Sequence, residues 1–447
     1  MSNPGEADLT PIESARQLAE WFEKGSKPQS EWRIGTEHEK FGFRRDTLAA
    51  PPYAPDGIRA LLEGLAAKGW TPILDNGNLI GLRRGGASVS LEPAGQLELS
   101  GDAVADLHAT RVELGTHLRE VHEVAGPLGI GFIALGFHPL ATREAMPWMP
   151  KGRYAIMRAY MPKVGNLGLD MMTRTCTVQV NLDYGSEADM VEKMRISLAL
   201  QPVATALFAN SPFTEGRPNG FRSYRAQVWT DTDPDRTGVP AVVFEDGFGF
   251  ERFAQYVLDV PMYFVMREGK WLDAAGASFR VFMEGRLDVL PGERATMGDF
   301  ADHVTTVFTD VRLKRYIEMR GADAGDPAML VALPAFWVGL LYDGAARKAA
   351  AALVRGWTVE EIRALRAAVP REALHATIRG RSVREVARDA VAIARDGLKA
   401  RGLGEDLYLA PLDEIVASGL TRADRWLARY RGAWRGDVRR VFEEAEL

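Results

Sequence analysis

Trp32-Arg33-Ile34-Gly35-Thr36-Glu37-His38-Glu39-Lys40-Phe41-Gly42-Phe43 decides how this chain is read. Side chains two apart along a strand share a face, so an extended reading puts Glu37 and Glu39 together and sends His38 to the other side. Two carboxylates side by side on one face repel unless a cation or an arginine lies between them. Three more stretches follow the same scheme. Val89 to Leu99 sends Val89, Leu91, Leu97 and Leu99 one way and Ser90, Glu92, Gln96 and Glu98 the other, with Pro93-Ala94-Gly95 read as a bulge. Cys176, Val178, Val180 and Leu182 oppose Thr177, Gln179, Asn181 and Asp183. Val311 to Arg320, read as one strand, sets Lys314, Tyr316, Glu318 and Arg320 against Leu313, Ile317 and Met319.

Any half-buried antiparallel strand shows water a polar face. Such a face usually mixes lysine, serine and threonine, whereas these four faces are dominated by Glu, Gln, Asn and Arg. Hard oxygen ligands offered from several strands, with arginines beside them, suit Mg²⁺ and a nucleoside triphosphate.

The whole chain narrows the function classes. Its 447 residues allow two or three average domains or one large catalytic one, and 46% hydrophobic with 26% charged residues describe an ordinary globular chain. A net charge of −5 with scattered lysines and arginines offers no surface for nucleic acid or anionic lipid, so the expected partners are small molecules. Apolar runs such as 130–135 and 333–341 are too short to cross a bilayer. The start lacks the basic and apolar blocks of a signal peptide, which points to the cytoplasm. One cysteine, Cys176, excludes an intrachain disulfide and a cysteine-based zinc site.

Residues 1–30 read as a helical lead with an amphipathic helix around Ile12 to Phe22. A helix over Ser186 to Asn210 takes Ser186 as cap with Asp189 three residues on, and Pro202 should end or kink it. Beyond Tyr342 the composition turns to Ala, Arg, Leu and Glu with capping boxes at Thr358 with Glu361 and Ser382 with Glu385, so residues 343–447 read as a helical portion packed on the sheet. No linker separates it, and the whole chain, 1–447, is expected to form a single catalytic domain of α+β class.

Familiar nucleotide and nucleophile motifs are missing. There is no G-x-x-x-x-G-K-[ST], no dinucleotide fingerprint, no G-x-S-x-G elbow and no H-E-x-x-H. Asp231 to Gly238 starts like a calcium loop but carries Arg236 where glycine belongs, so it reads as a turn-rich loop whose Arg236 could face substrate. What remains is metal-assisted electrostatic chemistry.

The stretches IGTEHEKFGF (34–43), SLEPAGQLELSG (90–101), WTDTDPDRTG (229–238), LDVPMYF (258–264) and VRLKRYIEMRGAD (311–323) resemble glutamate–cysteine ligases of the plant and proteobacterial type, within the glutamine synthetase-like carboxylate–amine ligases. The resemblance runs from about Ile34 to the C-terminus. It implies a curved, mainly antiparallel sheet cupping the active site and surrounded by helices. It also implies that ATP phosphorylates the γ-carboxylate of L-glutamate and that the amine of L-cysteine displaces phosphate, giving γ-glutamylcysteine, the first step toward glutathione. The alternative is a ligase of the same kind with another amine acceptor. Glu37, Glu39, Glu92, Glu98 and Glu318 match the family's acidic metal positions, with Gln179 a further ligand and Mg²⁺ the expected ion, Mn²⁺ a substitute. Glu318 and Arg320 match the glutamate and arginine at the transferred phosphate. Arg153, Tyr154, Arg225 and Tyr263 fall where the plant enzymes line the amino-acid site, with Arg236 added from its loop. The plant enzymes' regulatory cysteines correspond to Arg111, Ala274, Val289 and Val331, so their redox switch is expected to be absent, and the molecule to be a monomer or homodimer.

Overall fold

Alternation of apolar and polar residues builds the sheet at the centre of the molecule. The structure is a computed structural model that describes residues 8–447. The first seven residues of the expected N-terminal lead lie outside the described residues. Nine strands form the main sheet: β1 (Ile34–Arg44), β2 (Thr71–Asp75), β3 (Asn78–Arg84), β4 (Ala87–Leu91), β5 (Leu97–Ser100), β6 (Ile130–Ile133), β7 (Thr177–Leu182), β8 (Val311–Leu313) and β9 (Ile317–Asp323). Their order is β8-β9-β7-β1-β5-β4-β3-β2, with β6 on the second half of β1. Every pairing is antiparallel. The α+β, mainly antiparallel arrangement expected from the sequence is borne out.

Seven helices frame the argument: α1 (Ala15–Glu23), α2 (Leu107–Ala125), α3 (Gly152–Val164), α4 (Glu187–Leu207), α5 (Pro327–Leu341), α6 (Val359–Glu372) and α7 (Val383–Arg401). The apolar side chains of β7 and β9 (Val178, Val180, Leu182, Ile317 and Met319) join α4 and α5 in the largest core, where Phe336, Trp337 and Leu340 are fully buried. Each such side chain contributes about 1.5–3 kcal/mol by leaving water. The C-terminal α7 packs on α5, and the chain's last turn returns to the sheet, where Trp434, Val441 and Phe442 meet Phe41, Phe43 and Ile133. No single helix is long and apolar enough to cross a membrane among the described residues.

Several local readings change. Val89 to Leu99 is two strands, not one bulged strand: Glu92 N–H donates to Gln96 O, Gly95 N–H to Glu92 O, and Gly95 takes φ +85°, so Pro93-Ala94-Gly95 is a hairpin turn. Facing residues of a hairpin share a side, so Ser90 still lies with Glu98 and Val89 with Leu99. Val311 to Arg320 is likewise a hairpin, with Arg312 opposite Glu318. Pro202 does not end α4, which runs to Leu207. Pro202 removes one ladder hydrogen bond, but every residue from Ile196 to Leu207 is buried, and that packing outweighs the loss. The helix expected around Ile12 begins at Ala15, because Ile12 is engaged in backbone pairing with Ala295 and Gln17 Oε1 accepts from Ser14 N at 3.0 Å as a cap. Ser186 caps α4, and both C-terminal capping boxes form.

Candidate active site

The polar sides of β1, β5, β7 and β9 look into one cleft rather than into open solvent. Glu37 and Glu98 are each 4% exposed, Gln179 5% and Glu318 0%, which excludes an ordinary solvated strand face. The pairing explains the convergence: Glu37 lies opposite Gln179 on β7, and Glu39 opposite Glu98 on β5. Two adjoining chambers of about 530 and 610 Å³ share Glu39, Glu92, Arg153, Met157, Gln179, Phe308 and Arg320. A third, of about 430 Å³, opens from Arg225, Trp229, Phe308 and Arg320 toward Arg366 on α6.

Charge separates along this cleft. Burial, then the nearby charges of Glu92 and Glu98, push the Glu39 carboxyl well above its ordinary range, even though Glu39 Oε2 accepts from Thr177 N at 3.0 Å. Glu98 accepts from Ser90 Oγ at 2.9 Å and Ser100 Oγ at 3.3 Å. As their side chains stand, no three Asp, Glu, His or Cys among the described residues are grouped closely enough to hold a metal ion. At the other end the balance is reversed. Burial works to raise the Glu318 carboxyl, yet Arg312, Lys314 and Arg320 hold it well below its ordinary range. Arg312 grips both its oxygens, with Nε to Oε2 at 2.5 Å and Nη2 to Oε1 at 3.0 Å, and Glu318 itself lines none of the three chambers.

Arg320 reaches the cleft from a bulge. Met319 pairs with Val180 and Ala322 with Val178, so Arg320 and Gly321 together face Gln179. Arg320 Nη1 donates to Gln179 Oε1 at 2.8 Å and stands 3.1 Å from Glu318 Oε1. Gln179 is therefore engaged in holding Arg320. Glu37 Oε1 accepts from Asn181 Nδ2 at 2.9 Å.

The residues expected at an amino-acid site divide. Arg153 lines both shared chambers, and its Nε is buried without a partner. Tyr154 forms wall: its hydroxyl donates to Leu91 O at 2.7 Å, and burial pushes that phenol well up. Arg225, 3% exposed, donates from Nη2 to Arg320 O at 2.9 Å and leaves Nε unpartnered. Arg236 and Tyr263 are not brought to the cleft. Arg236 is fully buried on Asp233 at 2.6 Å, and its guanidinium lies 3.7 Å over the Tyr263 ring, whose hydroxyl donates to the same carboxylate at 3.2 Å. The pair braces the wall behind Phe308 instead. His38, on the far side of β1, packs edge to face on His117 of α2 at 5.5 Å.

Arg312, Phe308, Trp229 and Met157 escaped the sequence reading. Arg312 had a signal: Leu313 and Ile317 flank a three-residue polar turn, and a hairpin there puts Arg312 opposite Glu318. Phe308 and Trp229 carried none, since an aromatic residue in a loop is ordinarily core or rim.

The model of glutamate-cysteine ligase family 2 (GCS2) matches residues 33–444. This chain belongs to glutamate–cysteine ligase family 2. It is 53% identical over 428 residues to the chloroplastic glutamate–cysteine ligase of Arabidopsis thaliana, covering 96% of this chain and 82% of that one. To the chloroplastic glutamate–cysteine ligase B of Oryza sativa subsp. japonica it is 51% identical, over 97% and 89% of the two chains. The solved structure of glutamate–cysteine ligase from Francisella tularensis in complex with AMP shares the fold: TM-score 0.56 at 11% identity, over 92% of this chain and 88% of that one. The cytoplasmic location expected from the sequence is contradicted by these plant relatives, both of which are named as chloroplastic enzymes. A receptor reads a compartment address from a targeting segment, so the make-up of a folded core does not carry it.

Proposed function

We propose that this family member joins the γ-carboxylate of L-glutamate to the amine of L-cysteine with conversion of ATP to ADP and phosphate, through a γ-glutamyl phosphate, giving γ-glutamylcysteine. The observation that carries the reading, beside family membership, is the cleft itself. An arginine held by Gln179 and Glu318 looks across at a cluster of mutually repelling carboxylates, and two further arginines leave donors unpaired beside them.

Glu39, Glu92 and Glu98 are hard oxygen donors whose crowding a divalent cation would relieve, so they fit Mg²⁺, with Mn²⁺ as a substitute, and Glu37 stands beside them on β1. Bound there, the ion would neutralise phosphate charge. Arg320 meets the transferred phosphoryl group, with Glu318 and Gln179 fixing its guanidinium. Arg153 and Arg225 receive substrate carboxylates through their planar donors, which lysine would not reproduce. Tyr154 shapes the wall. Arg236 and Tyr263 act from behind it by holding the Phe308 side of the cleft.

Phosphate release from Mg·ATP and glutamate, compared with cysteine and with other amines, tests the reading. Cysteine is expected to be the preferred acceptor, excess EDTA to abolish turnover, and Glu39→Gln to lower the rate at least about a hundredfold, the scale of a lost transition-state electrostatic contact. Turnover undiminished by EDTA in metal-free protein, or a better amine than cysteine, would overturn it.

A further inference from the structure

A carboxylate that lines none of the three chambers organises the segment that carries Arg225. Asp323 closes β9 and is 1% exposed. Its Oδ2 accepts from Asn210 N at 2.8 Å and Ser211 Oγ at 2.7 Å, and its Oδ1 accepts from Ser223 Oγ at 2.8 Å. Both hydroxyls are also acceptors. Ser211 Oγ receives Arg225 N at 3.2 Å, and Ser223 Oγ receives Ala226 N at 3.2 Å as cap of the short helix Tyr224–Val228. A hydroxyl gives one proton and accepts on its lone pairs, so each serine donates to Asp323 while accepting from that helix, and the bond to Asp323 fixes where the accepting oxygen stands. The neighbouring loop is cut to fit the same group: a Cβ on Gly136 would stand 2.3 Å from Asp323 Cγ.

The chain of contacts ends in the cleft. Arg225 N is pinned through Ser211, Arg225 Nη2 is pinned on Arg320 O three residues before Asp323, and Arg225 Nε is left buried and unpartnered. We infer that Asp323 is a positioning residue for amino-acid binding: acting through Ser211 and Ser223, it sets the backbone of Arg225 so that the guanidinium meets a substrate carboxylate. The inference rests on the carboxylate role proposed above for Arg225. Asp323 does not touch substrate.

Asp323→Asn keeps the volume but exchanges one acceptor oxygen for an NH₂ group, so the two serine hydroxyls and the Asn210 N–H no longer all find acceptors. Steady-state constants for glutamate, cysteine and ATP are measured for wild type, Arg225→Lys, Asp323→Asn and the double variant. Arg225→Lys is expected to raise the KM of one amino-acid substrate at least tenfold. Asp323→Asn should raise the KM of that same substrate about tenfold, with the KM of ATP within twofold, and should add less than twofold in the Arg225→Lys background. If Asp323→Asn does not fold, Ser211→Ala carries the same expectation, because it removes the acceptor of the Arg225 N–H. A KM unchanged within twofold, an equal rise for ATP, or fully multiplicative effects in the double variant would reduce Asp323 to a structural anchor and overturn the inference. If Arg225→Lys raises neither amino-acid KM, the role of Arg225 itself is wrong and the inference falls with it.

Discussion

Lys40 is a lysine with nowhere to put its charge. It is 0% exposed on the side of β1 away from Glu39, and its Nζ donates to Leu97 O at 3.2 Å. Burial pushes its pKa from 10.5 down to about 7. Between about pH 7 and 10.5 the unfolded chain holds the proton that the folded chain has lost, so this group makes stability rise with pH across that window and fall as pH drops toward 7. Lys40→Met should therefore unfold at higher urea than wild type at pH 7, by on the order of a few kcal/mol, and the advantage should shrink by pH 10. Its neighbours His38 and His117, held well below their usual range by burial, are neutral in both states throughout that window and do not disturb the comparison. Urea midpoints at the two pH values measure it. A gap of equal size at both would mean that Lys40 is ordinarily charged in the folded protein.

At the scale of the element, the bulge in β9 does what strand parity alone could not. One extra residue opposite Gln179 lifts Arg320 out of the ladder, where its N–H donates to Asp310 O at 3.1 Å, and turns its guanidinium toward Gln179. The bulge needs a residue without a side chain at its second position, since a Cβ on Gly321 would lie 2.5 Å from Gln201 Nε2 and 2.8 Å from its Cδ. Gln201 on α4 is 1% exposed and has little room to retreat. Gly321→Ala should lower kcat/KM by about tenfold by displacing Arg320, the scale of roughly 1.4 kcal/mol in the barrier. Gln201→Ala added to it should recover most of that loss, because it clears the space the methyl needs. A double variant no better than Gly321→Ala alone would show that the strain lies in the backbone and not in the contact with Gln201.

For the molecule as a whole, the position of its one thiol decides its response to oxidants. Cys176 is fully buried just before β7, among Phe41, Ile133 and Phe213, and burial followed by the charge of Glu39 pushes the thiol well above its usual range. A thiol that is neither ionised nor accessible reacts slowly, and a single cysteine cannot close an intrachain disulfide. Activity should be equal after dithiothreitol and after a mild disulfide oxidant, and any dimer should survive reduction. Assays and non-reducing gels of wild type and Cys176→Ser check this. A several-fold loss on oxidation that vanishes in Cys176→Ser would place the thiol at a surface opened in solution.

Which side chains share a face was settled by the amino-acid sequence, because the two-residue period of a strand belongs to the segment itself. That is why Glu37 could be grouped with Glu39, and Gln179 with Asn181, before any pairing was known, whereas Glu92 and Glu98 come together across a hairpin. The local pattern also contained the capping boxes at Thr358 and Ser382, since a cap and its partner lie three residues apart. Pairing was decided only by tertiary structure. A turn and a bulge read alike in Pro93-Ala94-Gly95, and only the hydrogen bonds across it made two strands of one. Arg312 became the partner of Glu318 by folding back over a hairpin, and Arg236 with Tyr263 went behind the wall because Asp233 offered a buried carboxylate there. Parity is written into neighbouring residues, whereas the charge opposite a side chain, and hence whether a carboxyl is pushed up like Glu39 or held down like Glu318, depends on what the rest of the chain brings to it.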